Sequence, residues 1–530
     1  MRRWNGWGDD STTMTLPQSA AAFLSETLGA GHYLKEAELE QVTKLVPQSR
    51  LEEHSLITTD AQERVRHAKG QSLSDYLAMR SGDIPVFPDG VCYPENSQDV
   101  KAILAYAKQH DVELIPYGGG TSVAGHINPK QSTRAILTVN MGRMNQLLHL
   151  DEESQIATFG AGTPGPMVEA QLLARGYTLG HFPQSFELST IGGWIASRSS
   201  GQQSLRYGRI EQLFAGGELE TFSGTLDVPT FPASSAGPDL RELLLGSEGR
   251  FGILTHVKVR VSKVADSESF AVAFFPSWQQ AREFCQQAAQ QRIPLSMLRV
   301  SNSIETYTQL KLAGHEKAIS WLERYLSLRG CGENKCMLTY GLTGSKKQVT
   351  SSKHQLKSLL SKFKGVNTGQ LLGKKWQQNR FRSPYLRDAL WQQGYVVDTF
   401  ETATDWKNVD DLMNKVEDVV RSGLRDENEK VHVFTHLSHV YSQGCSLYTT
   451  YVYRNGESFE QTHQRWQKLK HLASETIVNH GGTISHQHGV GKDHAPYLKK
   501  EKGEQGMKLL THLVEHFDDK QLLNPGTLIE

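Results

Sequence analysis

The apolar positions of this chain recur with two different periods. Gly90-Val-Cys-Tyr-Pro94 and the run 112–116 are short apolar stretches bounded by turn residues, and they read as strands. Between them Val100, Ile103, Leu104 and Ala107 repeat at helical spacing behind Ser97, a residue suited to capping. Strand, helix and strand in this compass predict a βαβ unit, with ligand-binding loops at the strands' carboxyl ends. Residues 135–140, 146–150, 155–160 and 254–261 predict further strands, and 167–175 a helix. A strand at 270–275 and a helix at 278–291 open a region where the two periods alternate to about residue 500. Ile319, Leu322 and Leu326, with Trp321 and Tyr325, predict an amphipathic helix, whose apolar face is either buried in the protein or turned to lipid. Residues 1–85 have a polar, helical texture, as in 60–68; Trp4 and Trp7 either pack on the body or anchor at a membrane interface. The breaks divide the chain into 1–85, 86–262, 263–500 and 501–530, with Asn524-Pro-Gly526 turning the last piece back toward the second.

Composition narrows the function classes. The chain has 530 residues, enough for more than one core. Lys and Arg number 57 against 57 Asp and Glu, so no overall field draws nucleic acid. Apolar runs stay far short of a membrane span, and no apolar core follows Met1-Arg-Arg, so no signal peptide is expected. Cys92, Cys285, Cys331, Cys336 and Cys445 are odd in number and scattered, which predicts reduced thiols in a cytoplasmic protein; peripheral membrane contact is the exception allowed for. Cys331 and Cys336 lack the spacing of a redox or zinc pair.

Candidate chemistry begins where the run 112–116 ends. Pro116 and Tyr117 are followed by Gly118, Gly119, Gly120, Thr121 and Ser122. Three residues without Cβ let the backbone turn with positive φ and come close to a ligand, and converging N–H groups there form an anion nest. A pyrophosphate fits such a nest; a plain glycine-rich turn is the alternative. The pattern is neither a GxGxxG opening a helix nor a Walker A loop. Gly192 and Gly193 begin a predicted helix, where free N–H groups would meet the carbonyl edge of a flat ring.

The glycine loop, Pro183-Gln-Ser185, Ser189-Thr-Ile-Gly-Gly193, Arg198-Ser-Ser-Gly201, Tyr207-Gly208 and Gly246-Ser-Glu-Gly249 occur in an order that resembles flavoproteins of the vanillyl-alcohol-oxidase/p-cresol-methylhydroxylase fold. Within that fold the chain resembles the alkyldihydroxyacetonephosphate synthase family of ether-lipid flavoenzymes. This likeness includes Arg3-Trp-Asn-Gly-Trp-Gly8, Leu298-Arg-Val-Ser-Asn302, Leu386-Arg-Asp388, Phe400-Glu-Thr402 and His486-Gln-His-Gly-Val-Gly491. The resemblance implies an α+β protein: a two-subdomain FAD-binding domain of the vanillyl-alcohol-oxidase type at 86–262 and an α+β substrate (cap) domain at 263–500. It places the FAD pyrophosphate on the loop from Pro116 to Ser122. It lines the rest of FAD with Ser185, Thr190, Gly192, Gly193, Ser197, Glu248 and Ile253. Members that tether flavin covalently carry a histidine inside the glycine loop. Here His126 lies beyond it, so non-covalent FAD is expected.

The resemblance also assigns chemistry to the second half. Arg387 matches the arginine near the substrate phosphate; a guanidinium fork suits phosphate or carboxylate, and an ion pair with Asp388 is the bland alternative. Arg299 is a second candidate against a structural ion pair. Tyr448 matches the family's active-site tyrosine. His486, Gln487 and His488 stand where the family has three histidines. On a strand-like segment His486 and His488 would share a face, and the central Gln487 cannot titrate. His436 and His439 form a second cluster. With His486 or His488 they offer metal ligands of the kind some flavin-dependent 2-hydroxy acid dehydrogenases of this fold use, but no carboxylate is evident among them and no metal is assigned. Three functions remain open. The preferred one exchanges the acyl group of acyl-dihydroxyacetone phosphate for a fatty alcohol through a flavin N5 adduct. The second is a D-2-hydroxy acid dehydrogenase, and the third an inactive flavin-binding subunit. The expected partner is a small or lipid-like substrate, with a homodimer allowed for. A long apolar cavity would favour lipid, a small polar one a hydroxy acid.

Overall fold

A computed structural model describes residues 2–529; Met1 and Glu530 lie outside the described residues. The first sheet contains β1 (Ile57–Thr58), β2 (Gly90–Cys92), β3 (Glu113–Tyr117) and β4 (Ile136–Asn140), in the order β1-β2-β4-β3. The helix Ser97–His110 buries Val100, Ile103, Leu104 and Ala107. Its cap is Asn96 rather than Ser97: the Asn96 side chain accepts the N–H groups of Gln98 and Asp99 at 2.9 and 3.1 Å. β2 and β3 are each parallel to β4, which lies between them. The βαβ unit is therefore split by a strand that comes later in the chain.

The second sheet has β5 (Leu147–Asp151), β6 (Ile156–Gly160), β8 (Phe214–Thr221), β9 (Gly224–Val228) and β10 (Ile253–Arg260), in the antiparallel order β5-β6-β10-β8-β9. β7 (Tyr177–Thr178) and β11 (Ser262–Lys263) pair beside it. Val257 and Val259 are buried while His256, Lys258 and Arg260 are only partly so, the period-two pattern of a strand with one face on a core. That core holds Phe159, Trp194, Phe214 and, from the kinked C-terminal helix Ala495–Phe517, Leu498 and Val514.

The third sheet, antiparallel throughout, contains β12 (Ser267–Phe275), β13 (Met297–Ser301), β14 (Cys336–Gly344), β15 (Val366–Gly369), β16 (Tyr395–Asp405), β17 (His432–Val440) and β18 (Gly444–Arg454). Their order is β15-β12-β14-β13-β17-β18-β16. Helices Trp278–Gln290, Lys346–Lys362, Val409–Ser422 and Phe459–Asn479 share a core with one face of it, through residues such as Phe284, Leu356, Leu412 and Leu469. Each fully buried large apolar side chain contributes about 1.5–3 kcal/mol. Alternation sends Leu298, Val300, Leu437 and Leu447 to that core. It turns Met297, Arg299, Phe434, His436 and Tyr448 to the other face, which walls a cavity.

Both ends of the chain reach the first sheet. Leu114 donates its N–H to Leu522 O at 2.7 Å and accepts that of Asn524 at 2.8 Å, so the C-terminal segment covers the open edge of β3. Arg2 Nη2 donates to Gly119 O at 2.6 Å. The N-terminal segment is less helical than its polar texture suggests. Short helices such as Gln18–Leu28 and Leu73–Ser81 interrupt irregular chain that packs on the other parts. Trp7 is buried, Trp4 packs against the largest core, and neither is free to anchor in a membrane. In the helix Glu316–Leu328, Leu326 is buried against Val272 and Phe274, whereas Trp321 is 71% and Leu328 87% exposed. The amphipathic helix thus has one core-facing stripe and a second apolar stripe in solvent. All five cysteines are buried and unpaired. Among the described residues no helix is long and apolar enough to cross a membrane.

Candidate active site

A cavity of about 670 Å³ runs from the glycine loop to the open face of the third sheet. Gly118 and Gly119 press against the segment 188–190. A Cβ on Gly119 would lie 1.8 Å from Leu188 O, and one on Gly118 2.2 Å from Thr190 Oγ1. Gly120 has φ +67°, where side chains are disfavoured. Pro116, Thr121, Ser122, Ser185, Thr190, Gly192, Gly193, Ser197, Glu248 and Ile253 all line the same cavity.

Three of these residues behave differently from expectation. The N–H groups of Gly192 and Gly193 are not free: they donate to Ala161 O at 2.8 Å and to Thr190 Oγ1 at 3.4 Å. Gly192 instead lets the helix Ile191–Ala196 approach Ala161, whose Cβ would be 2.8 Å from a Cβ at that position. The Glu248 carboxylate is committed to protein donors, accepting from Val490 N at 2.6 Å and Gly491 N at 2.7 Å. It also faces His126 Nε2 at 3.2 Å. Burial opposes charge on His126, but Glu248 outweighs it and holds the ring above its ordinary pKa.

The walls fit a dinucleotide. Gln202 Oε1 and Asn524 Oδ1 lie on residues of the cavity wall, buried with no protein partner. Thr121 and Ser122 add hydroxyls, the glycine loop admits no Cβ, and the volume is that of a cofactor or ligand site.

The other end is charged and aromatic. Arg387 Nη1 donates to Gln71 O at 2.6 Å, Nη2 stands 3.4 Å from Asp398, and the guanidinium lies 4.4 Å from the Tyr76 ring centre. Asp388 is not its partner; that carboxylate is taken by Arg3 and Arg80. Arg299 donates to Glu305 at 2.7 Å and still lines the cavity. Tyr448 donates to Thr399 Oγ1 at 3.1 Å, and burial pushes its hydroxyl up to about 12. The His436 ring stacks on it with centroids 4.8 Å apart.

The segment 486–491 is not a strand. Gly489 and Gly491 have φ of +77° and +56°, and the chain turns. Gln487 and His488 therefore both line the cavity, while His486 is not among its lining residues. His486 Nε2 is 2.6 Å from Arg209 Nη1 and 2.7 Å from the Tyr441 hydroxyl. Arginine can only donate, so Nε2 carries the lone pair and Nδ1 the proton, turned to Glu401 at 3.3 Å. Glu401 also accepts from Gln487 and Ser438. Burial alone would raise Glu401; His486 outweighs it and holds the carboxyl well below the usual range. Potential ligand atoms of Glu401, His439 and His486 lie within 4.8 Å of one another, so a carboxylate does join the histidines. A His486 ring protonated on that side offers no lone pair to a cation. His439 Nδ1 is taken by Ser200 and Ser204, each at 3.2 Å, and burial lowers its pKa to about 3. Burial likewise lowers His488, to about 4.

Sequence reasoning missed Asp398, Glu305, Glu401, Arg209 and Tyr441. Phe400-Glu-Thr402 carried one of them as part of a motif; the others had no local signal.

Two parts around one cavity, with a glycine cradle facing a charged sheet, define a FAD-linked flavoenzyme. Residues 88–227 match the family described as "FAD binding domain", and residues 265–528 that described as "FAD linked oxidases, C-terminal domain". The chain is 31% identical over 473 residues to "Alkyldihydroxyacetonephosphate synthase" of Dictyostelium discoideum, covering 88% of this chain and 77% of the relative. It is 30% identical over 482 residues to the protein of that name from Trypanosoma brucei brucei, covering 89% and 78%. A solved structure titled "alkyldihydroxyacetonephosphate synthase in P1" matches with TM-score 0.84 and 26% identity over 99% of this chain and 98% of the other. The chain belongs to the alkyldihydroxyacetonephosphate synthase family, and its cofactor is FAD.

Proposed function

We propose that this enzyme exchanges the acyl group of an acyl-dihydroxyacetone phosphate for a long-chain alcohol. The observation that carries the reading is one cavity lined by the Arg387 guanidinium and by apolar walls at Met297, Leu312, Trp376, Val397 and Phe434. A guanidinium fork meets the phosphate, and the apolar wall receives the chain. The glycine loop, Thr121 and Ser122 would hold the FAD pyrophosphate; Ser185, Thr190, Gly193, Ser197 and Ile253 would line the rest. FAD, when bound, supplies an electron-accepting ring. Non-covalent binding is favoured because His126 is already tied to Ser122 and Glu248. Arg387 binds and orients the phosphate, and Arg299 adds positive charge nearby. Tyr448 presents a hydroxyl that stays protonated at neutral pH and hydrogen-bonds a reacting oxygen. His488 borders the reacting centre, and His486 acts from behind it by fixing Glu401 and, through it, Gln487. The exposed stripe of Glu316–Leu328 gives a lipid surface somewhere to meet the protein, on the helix that follows the cavity-lining Leu312 in the chain.

The test is to give purified holoenzyme a palmitoyl-dihydroxyacetone phosphate and hexadecanol. The alkyl product and released fatty acid should appear in equal amounts by mass spectrometry. Absence of product, with anaerobic bleaching of the flavin by D-lactate or D-2-hydroxyglutarate, would replace this reading with a dehydrogenase.

A further inference from the structure

The reaction above must move a proton, and four histidines surround the reacting end of the cavity. Three are poorly placed to accept it. Both His486 nitrogens face protein groups, and the ring does not line the cavity. His439 has Nδ1 on two serine hydroxyls, and the ring packs 5.0 Å from that of His486. His488 lines the cavity, but among the described residues no acidic group holds its ring in one tautomer or steadies a charge on it by direct contact.

His436 is different on each count. It sits on β17, turned to the cavity by strand alternation, directly across from Tyr448 on β18. Its Nδ1 is 3.0 Å from Glu305 Oε2. Glu305 is itself fixed: Arg299 and Gln309 each donate to its other oxygen at 2.7 Å, and its own N–H donates to Asn302 Oδ1 at 2.8 Å. Burial would raise the Glu305 carboxyl, but His436 and Arg299 outweigh burial and bring it down to about 2. An ionised carboxylate cannot donate, so the shared proton lies on Nδ1. Arg299 Nη2 is also near Nδ1, at 3.3 Å, but Nδ1 lies closer to the carboxylate, at 3.0 Å, and the guanidinium's shorter contact is to Glu305, at 2.7 Å. Nε2 is left as a lone pair on a ring that borders the cavity. A base oriented by a buried carboxylate, which then steadies the imidazolium, is the arrangement proton transfer requires.

We propose that His436, held by Glu305, is the proton acceptor of this site. The assignment rests on the exchange reading. The alcohol O–H bond breaks and its proton passes to His436 Nε2. The oxygen's electron pair forms the new C–O bond, and the acyl C–O pair leaves on the fatty carboxylate, which takes the proton back from the imidazolium or from solvent. The charged and titratable groups facing the ring are Arg299 on β13, Glu305 on the helix after it, Glu401 on β16, Tyr448 on β18 and His439 on its own strand. Burial and Arg299 lower His436 from its ordinary value, while Glu305 and Glu401 oppose them. The ring is therefore neutral at neutral pH, and kcat should fall as pH drops through its lowered pKa.

The experiment compares holoenzyme with His436→Gln and Glu305→Gln, each checked for FAD content. His436→Gln should lower kcat by about 100-fold or more with little change in KM, and should remove the acid limb of the pH profile. Glu305→Gln removes a group that raises the ring's pKa, so its acid limb should move to lower pH. A readout independent of turnover is the nitrogen-15 spectrum of histidine-labelled holoenzyme, with His436 identified by its loss in His436→Gln. It should show a neutral ring protonated on Nδ1, and a tautomer mixture in Glu305→Gln. Wild-type kcat with an intact acid limb in His436→Gln overturns the assignment, and so does a ring protonated on Nε2. If the wild type oxidises a D-2-hydroxy acid instead, the exchange reading fails separately. His436→Gln is then scored on that reaction, where a hydroxyl proton must also leave. If neither substrate turns over, the ring spectrum decides alone.

Discussion

Arg387 shows how firmly a single side chain can be aimed. One nitrogen is tied to a backbone carbonyl, another is paired with Asp398, and the plane rests on Tyr76. Lysine would keep the charge and lose the fork. Arg387→Lys should raise KM for the phosphate substrate by about tenfold or more, the equivalent of one charged hydrogen bond, with a smaller change in kcat. Steady-state kinetics on phosphate-bearing and phosphate-free substrates separate the two. At the other end of the cavity the limit is steric. Gly119→Ala puts a methyl group 1.8 Å from Leu188 O, a contact that only backbone movement relieves. The variant should emerge from gel filtration with most of its flavin lost, read as visible absorbance per protein. Both residues were legible because each sits in a motif of distinct composition. Glu305 had no such signal and Glu401 stood in a motif without a role, because their histidine partners lie 131 and 85 positions away along the chain (His436 and His486) and only the tertiary fold brings them together.

At the scale of elements, the strands read at 90–94, 112–116, 135–140, 146–150, 155–160 and 254–261 match observed strands to within a residue or two, and the helices Ser97–His110 and Trp278–Gln290 nearly as well, whereas β8, β9 and β13 to β18 were not read. Insertion of β4 between β2 and β3 was not readable, since apolar pattern fixes a face and leaves neighbours open. The late histidine run was read as a strand because alternation of side chains resembles one. Two glycines with positive φ turn it instead, and this puts Gln487 on the cavity and His486 behind it. One element-level contact predicts a pH dependence. His126 joins the Ser122 end of the glycine loop to the 489–491 turn through Glu248. Its pKa is raised in the folded protein, so the pair's contribution is complete below about pH 6.5, the ordinary histidine value, and is lost as pH rises through the raised value. The stability gap between wild type and His126→Gln in urea should be larger near pH 6 than near pH 9. A gap that does not change with pH would remove the charge from this account.

For the whole molecule, the exposed stripe on Glu316–Leu328 sets the expected behaviour toward lipid. Trp321 and Leu328 project from a helix whose sequence carries Lys317, Arg324 and, just past its end, Arg329 against Glu316 and Glu323, so the surface is apolar with a weakly cationic border. The protein should sediment with vesicles containing anionic lipid. The double variant Trp321→Asp, Leu328→Asp should stay in the supernatant with its flavin content unchanged, because neither side chain touches a core.

The meeting of both chain ends at one loop has a consequence for manufacture in the cell. Arg2 holds the carbonyl of Gly119, and residues 522–524 close the strand that leads into that loop. Translation reaches residue 522 only 520 positions after Arg2, so the cradle stays unfinished until both have been made. FAD capture by the finished cradle therefore follows synthesis of residue 524, and an excess of the vitamin-derived cofactor should not rescue nascent chains stalled before that point.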